Sequence, residues 1–334
     1  MAQKLTNVTG IDLPMAVWLL DDNYDHVSDP DYISATGLLK PLKEIILSRE
    51  NDKKTSTMDI SMFGKSQMGS AMHDSIENAW MKPHVVKRAC ALLGISEAVA
   101  ETIVINPSDE NVKAWTEDAI PFIPVYMEQR VIKAIEGFKI GGKFDIILAG
   151  ALNDYKSTGT FTYTKQSQST KYIQQGSIYR WLNQDKVTEE IFTINYYFTD
   201  WVKYKMTQAG YPPSQILSQQ FTLMSLKETE AWITEKLRLI KQYSGRPQAS
   251  IPVCTDEDLW RDLPEYKYYS KPDAKRATKV FGTNADSAYT HLQNQGFGEV
   301  KIIPSVAKAC NYCSAHDFCD QRKQLTESGE LSNV

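Results

Sequence analysis

The spacing of apolar residues divides the chain into stretches of different period. In "DYISATGLLKPLKEIILSREN", Leu39, Leu42, Ile45 and Ile46 form one stripe, which predicts a single amphipathic helix behind a Ser/Thr-rich entry. "FGKSQMGSAMHDSIENAW" predicts a second helix, with Met68, Met72, Ile76 and Ala79 at three- and four-residue spacing. Val85 to Leu93 predicts a third, stopped by Gly94. From Ile123 to Thr158 the pattern alternates, is rich in β-branched residues, and is cut at Glu136-Gly137 and Ala149-Gly150. That predicts a meander of about three strands. "TKYIQQGSIYRWLNQ" returns to helical spacing. "EEIFTINYYFTDWVKYKM" and "ILSQQFTLMS" read as strands, and "LKETEAWITEKLRLIKQY" as a long amphipathic helix. After Gly245 come two prolines, short strands, one helix and a group of cysteines. These changes divide the chain into a mixed α/β core over residues 1–245 with a helical N-terminal part, a cysteine-bearing module over 246–325, and a flexible tail over 326–334.

With 334 residues, 42% of them hydrophobic, the chain can build one large core or two smaller ones. The formal net charge of -4 gives no general attraction to nucleic acid and leaves room for a local basic patch. No apolar run reaches 18 residues, so no membrane span is expected. The short apolar stretch near the N-terminus ends in acids, unlike a signal peptide, so the expected location is cytoplasmic. Five cysteines, an odd number, point to metal or core use before disulfides. Cys90, in an apolar helix, reads as a buried thiol.

The chemistry concentrates in "GGKFDIILAGALNDYKSTGTF", residues 141–161. In a strand, residues two apart share a face, so Asp154 and Lys156 project together while Tyr155 points into packing. A turn at Gly150 brings Asp145 alongside. Two carboxylates this close repel each other unless a cation lies between them, and oxygen donors suit a hard ion such as Mg²⁺ or Mn²⁺. A neighbouring lysine orients water and stabilises charge on a phosphate. A D-x-K triplet alone is common, and taken alone it reads more simply as a solvated edge-strand pair. "FGKS" is not a phosphate loop, because Asp59 stands where the loop needs glycine.

The pattern D-x8-D-x-K on adjacent strands resembles the PD-(D/E)xK nuclease superfamily, with Phe144-Asp145 in place of Pro-Asp. "GSAMHDSIE" supplies G-x-x-x-H around His73, and "QQGSIY" supplies Q-x-x-x-Y with Gln175 and Tyr179 on one helical face. In this order the elements resemble the RecB/AddB type, which is similar to CRISPR-associated iron–sulfur exonucleases and phage exonucleases, over residues 32–240. The resemblance implies a PD-(D/E)xK core, a mixed central sheet flanked by helices. It implies that Asp145, Asp154 and the Tyr155 carbonyl ligate Mg²⁺ or Mn²⁺, with His73 as a further ligand and Lys156 as the catalytic lysine. Gln175 and Tyr179 would hold the scissile-side phosphate or the DNA end; a helix packing Tyr179 and Tyr172 on the sheet is the alternative, and the two are compatible. Glu128, one strand earlier, would be a second-metal ligand or a substrate-side acid; a solvent-facing strand residue is the alternative.

Cys310-x2-Cys313-x5-Cys319 offers three thiolates, and Cys254 is the candidate fourth. The set resembles the iron–sulfur staple of AddB-type and CRISPR-associated nucleases and implies a [4Fe-4S] cluster. In those relatives the lone cysteine generally precedes the nuclease core, whereas here it follows, so the cluster would organise a C-terminal α+β module. Zn²⁺, with His316 replacing one cysteine, is the rival. Arg261, Lys267, Lys271, Lys275, Arg276 and Lys279 face Asp262, Glu265 and Asp273, interleaved with Tyr266, Tyr268 and Tyr269. That is either a surface for phosphates and unstacked bases or a solvated face. The whole implies a metal-dependent DNA nuclease, an exonuclease of recombination, repair or degradation acting on DNA with single-stranded ends, alongside a recombinase or helicase. The alternatives are a DNA-binding partner module with little turnover and an RNA or site-specific endonuclease.

Overall fold

In this computed structural model the described residues are 3–21, 25–51, 56–261 and 263–331. The chain opens with β1 (Gln3–Thr6), α1 (Leu13–Leu19), β2 (Tyr32–Ser34), α2 (Ala35–Leu38), α3 (Leu42–Glu50) and β3 (Ser56–Asp59). The helices α4 (Gly64–Trp80), α5 (Pro83–Leu92) and α6 (Glu97–Glu101) lead to β4 (Ile103–Ile105) and α7 (Asp109–Glu117). The alternating stretch forms β5 (Ile123–Met127), β6 (Arg130–Ile135), β7 (Phe138–Lys143), β8 (Ile146–Leu148) and β9 (Ala151–Thr158). Next come α8 (Thr160–Lys165), α9 (Ser169–Leu182), β10 (Ile191–Phe198), β11 (Ile216–Thr222) and α10 (Leu226–Tyr243). The chain finishes with β12 (Glu265–Tyr269), β13 (Lys279–Val280), α11 (Ala285–Gln295), β14 (Glu299–Ile303) and α12 (Asp320–Glu327).

The meander contains five strands instead of about three because its first ribbon bends. β5 and β8 pair in a mixed sheet of order β11-β10-β9-β8-β5-β4, while their continuations β6 and β7 pair in a second sheet, β2-β7-β6. At the crossing, Glu128 takes a positive φ of 52°, costly for a residue with a Cβ, and its N–H donates to the Asp145 carbonyl at 3.1 Å. The two connections that the sequence marks are two-residue turns. Glu136 and Gly137 (φ 52° and 74°) close β6 on β7, and Ala149 and Gly150 (φ 48° and 83°) close β8 on β9. Two successive positive φ values are the signature of the turn whose twist matches the flanking strands.

β9 and β10 run parallel, with Asp154 opposite Ile194 and Lys156 opposite Tyr196. Parallel neighbours need a crossover, and α8 and α9 supply it. α9 lies tight on the sheet because Gly176 has no side chain: a Cβ there would come within 2.6 Å of Phe192 and 2.8 Å of Leu223. Phe192, Ile194, Tyr196 and Phe198 alternate inward along β10 and are almost fully buried.

Two compact units result. One comprises Ala2–Leu39 and Thr55–Arg238; the other comprises Lys40–Lys54 and Leu239–Val334. This departs from the expected boundary near 245, and it moves α3 out of the first unit. The single helix expected over residues 32–50 is three elements. Ser34 caps α2 by accepting from the Gly37 N–H, and Pro41 sits at the start of α3. In the second unit Ile46 and Leu47 of α3 pack with Ile251, Ala315 and Cys319, so part of an apolar run assigned to the core serves the cysteine region. The tail expected from 326 is built further than that: α12 runs to Glu327, and Leu331 bridges Ala307. Residues 332–334 of that expectation, and Asp262, lie outside the described residues. Among the described residues no helix is long and apolar enough to cross a membrane.

Candidate metal centre

Three parts of the first unit bring His73, Glu128, Asp145, Asp154 and Lys156 together. α4 carries His73, the ribbon bend carries Glu128 and Asp145, and β9 carries Asp154 and Lys156. His73 Nδ1 lies 3.6 Å from Asp145 Oδ1 and 3.8 Å from Glu128 Oε1. One donor atom from each of these three residues lies within 4.8 Å of the others. His73 Nε2 faces the Tyr155 carbonyl at 3.1 Å, so that main-chain oxygen also reaches the centre. The Tyr155 side chain packs with Val125, Met127 and Ile146, as the alternation requires.

Neighbours hold each carboxylate. Asp145 Oδ2 accepts from the Tyr155 N–H at 2.8 Å. Asp154, 2% exposed, accepts from Gln175 Nε2 at 3.2 Å through Oδ1. Its Oδ2 lies 2.6 Å from Lys156 Nζ but has no well-angled hydrogen bond, leaving a buried lone pair available. Glu128 Oε2 is 2.6 Å from Lys143 Nζ.

The protonation states reflect crowded negative charge. Burial, then the nearby Asp154 carboxylate, pushes Asp145 up to about 7. Burial works against a charged His73, but Glu128, Asp145 and Asp154 together lift its pKa to about 9. Burial likewise opposes the Lys156 charge, and Asp154 with Asp145 more than offsets it, so its pKa is raised. For Glu128 burial is outweighed by His73 and Lys143, which lower its pKa. A divalent cation fits this donor set. It would occupy the place that protons on His73 and Asp145 otherwise take, and would find one imidazole nitrogen, carboxylate oxygens and a carbonyl.

Gln175 and Tyr179, expected to face substrate, are both buried, at 6% and 5% exposure. The Gln175 amide bonds Asp154 and the Tyr179 hydroxyl, the latter at 3.2 Å. The Tyr179 ring packs against β7, where a Cβ at Gly142 would come within 2.5 Å of it. Lys143 is the residue that sequence reasoning missed. The signal was its place in "GGKFD", two residues before Asp145, opposite Arg130 in register.

In the second unit all five cysteines' remaining members, Cys254, Cys310, Cys313 and Cys319, are free thiols. Gln321 clamps the Cys254 backbone, accepting from its N–H at 2.8 Å and donating to its carbonyl at 2.9 Å. Burial, then Asp258, then the other three cysteines push the Cys254 thiol up to about 12, so the four sulfurs sense one another. Among the described residues no three of these sulfurs lie within 4.8 Å of one another. His316 faces the Cys313 carbonyl at 2.8 Å through Nδ1 and Asp317 at 3.2 Å through Nε2.

No family model and no curated protein matches the chain. Among solved structures, SSO0001 is similar at 14% identity over 73% of this chain and 91% of its own, with a TM-score of 0.39. An alkaline exonuclease from Laribacter hongkongensis is similar at 14% identity over 39% of this chain and 62% of its own, with a TM-score of 0.25. Likenesses this distant carry no argument about function, which is left to the geometry.

Proposed function

We propose that the chain is a metal-dependent DNA nuclease of the PD-(D/E)xK type, an exonuclease that hydrolyses phosphodiester bonds in recombination, repair or degradation. One observation carries the reading: an imidazole, three carboxylates and a lysine converge from a helix, a bent ribbon and a central strand onto a largely buried point. Structural ion pairs rarely gather three acids, because their mutual repulsion has to be offset. His73, Asp145, Asp154 and the Tyr155 carbonyl would hold Mg²⁺ or Mn²⁺, with Glu128 alongside. The ion, when bound, polarises the scissile phosphate and activates water for attack. Lys156 places a positive charge beside the reacting phosphate and hydrogen-bonds an attacking water. Gln175 fixes the Asp154 carboxylate, and Lys143 fixes Glu128, so these two residues position ligands and need not touch DNA.

For the cysteines we favour a [4Fe-4S] cluster on Cys254, Cys310, Cys313 and Cys319. A cluster takes four thiolates spread over several irons, which matches the number of cysteines in this unit. The hydrogen bonds of His316 also favour the all-cysteine set over a zinc site that uses this imidazole.

The test is digestion of end-labelled linear and circular DNA with Mg²⁺, Mn²⁺ or chelator, using protein purified without oxygen. Metal-dependent release of nucleotides from linear ends, lost in Asp154→Asn, is expected. No cutting of any substrate with either metal, by protein holding its full iron complement, would overturn the reading. Iron, acid-labile sulfide and zinc analysis of the same preparation tests the cluster.

A further inference from the structure

Between Cys254 and Cys310 the chain builds a small α+β layer that the nuclease reading leaves without a task. β12 is central, with β13 and β14 antiparallel on either side. Alternation assigns its faces. Tyr266 and Tyr268 turn towards α11, where Tyr268 meets His291 at 4.8 Å and Tyr266 meets Tyr289 at 6.2 Å. Residues directly opposite one another in antiparallel strands share a face. Lys267 is opposite Val280 and Lys301, and Tyr269 is opposite Glu299, so Lys267, Tyr269, Val280 and Lys301 share the face away from α11.

That face mixes cations with apolar and aromatic surface. Lys301 Nζ stands 4.9 Å above the Tyr269 ring, and Val280 is 56% exposed. Lys267 and Lys301 are paired with Glu265 at 2.9 Å and Glu299 at 3.0 Å. The connection from β12 to β13 adds three exposed cations, Lys271, Lys275 and Arg276, which make no ion pair among the described residues. From Glu265 to Lys301 there are six Lys and Arg against four Asp and Glu, a surplus of two in a chain whose net charge is -4. In this loop three cations stand against one carboxylate, Asp273, and such a local positive surplus attracts a polyanion.

We infer that this sheet face and its basic loop bind single-stranded DNA, the loop contacting phosphates and the Tyr269, Val280 and Lys301 surface receiving unpaired bases. The inference rests on the nuclease reading for its choice of DNA as the polyanion. Single strands fit better than duplex, because a duplex offers phosphates but keeps its bases away from an apolar or aromatic surface.

The experiment is fluorescence anisotropy of a labelled single-stranded oligonucleotide with the full-length protein in chelator, where no hydrolysis proceeds, across a salt series. The triple substitution Lys271→Ala, Lys275→Ala and Arg276→Ala removes only exposed side chains, and its circular dichroism and cluster content verify folding. Binding at low salt is expected to weaken at least ~10-fold, and the slope of log K against log salt to become shallower by about 2, since each single-strand phosphate contact contributes roughly 0.7. Tyr269→Ala is expected to weaken binding by a further several-fold with the slope unchanged, as loss of stacking does. A triple variant with unaltered affinity and slope would overturn the inference, as would equal loss on a blunt duplex. Cleavage measured separately with metal distinguishes the two readings: DNA that is bound but never cut removes the nuclease reading and leaves this one standing.

Discussion

The carboxylate centre and the cysteine region each gather side chains of metal-ligating type, and they do it by opposite means. The centre's ligands sit on a helix (His73), a bent ribbon (Glu128, Asp145) and a central strand (Asp154), and each carboxylate is held by a protein partner: Asp145 by the Tyr155 N–H, Asp154 by Gln175, Glu128 by Lys143. The cysteines sit in or beside loops and short helices, Cys310 within the single turn Ala309–Tyr312 and Cys319 at the cap of α12, with the Gln321 clamp on Cys254 as the clearest support. A scaffold of sheet hydrogen bonds can pre-form a site and pay for its crowded charge in advance. A loop-built site draws its order from what it binds. The first arrangement suits an ion that must exchange ligands during a reaction, and the second suits a permanent structural centre.

The largest effect expected from breaking this contrast is catalytic. Asp154→Asn should remove DNA cutting, and Lys156→Ala should lower kcat on the order of 10²–10³-fold. Circular dichroism should stay unchanged in both, because the scaffold does not depend on the ion. The next test compares the two regions directly by differential scanning calorimetry. Chelation of Mg²⁺ or Mn²⁺ should barely move the melting profile. Loss of the cluster in Cys319→Ser should lower one transition, by roughly 4–8 °C for each ~1 kcal/mol lost in a unit of this size. Equal shifts in both cases would erase the distinction. Ile46→Ala should destabilise the cysteine unit by ~2–5 kcal/mol, since the side chain is fully buried with Ile251, Ala315 and Cys319. Denaturant unfolding followed through the cluster's absorbance reads this out.

Smaller effects sharpen the same contrast. Lys143→Met should weaken metal binding 10- to 100-fold, the usual effect of losing a residue that orients a ligand. Isothermal titration with Mn²⁺ measures it, and an unchanged affinity would remove Lys143 from the centre. Ala149→Asn should stabilise the chain by about 0.5–1 kcal/mol, because asparagine tolerates the positive φ of 48° better than alanine. Urea unfolding is accurate enough to show the sign.

Much of this was legible in the sequence because it is local. Alternation and glycine placement located both two-residue turns. Two-residue spacing put Asp154 beside Lys156, and four-residue spacing put Gln175 beside Tyr179. Where reading failed, the cause was a partner distant in sequence. Glu128 was named as a candidate acid, but the bend that turns it towards His73 and Asp145 is shared by two strands and leaves no mark in either strand's period. The packing of this helix on the sheet was foreseen, but nothing in "QQGSIY" says that Gln175 bonds Asp154, a residue 21 positions away. The stripe of α3 was visible, but an apolar stripe does not name the surface that will cover it.

The sequence by itself therefore determined the periods, the turns and the side chains that share a face, since each follows from backbone geometry over a few residues. The tertiary structure alone decided which of those faces meet. It bent the ribbon so that Glu128 and Lys143 join Asp145, and it carried α3 to the cysteines. Those choices depend on the fit and burial of distant surfaces, a property of the packed chain that no local pattern encodes.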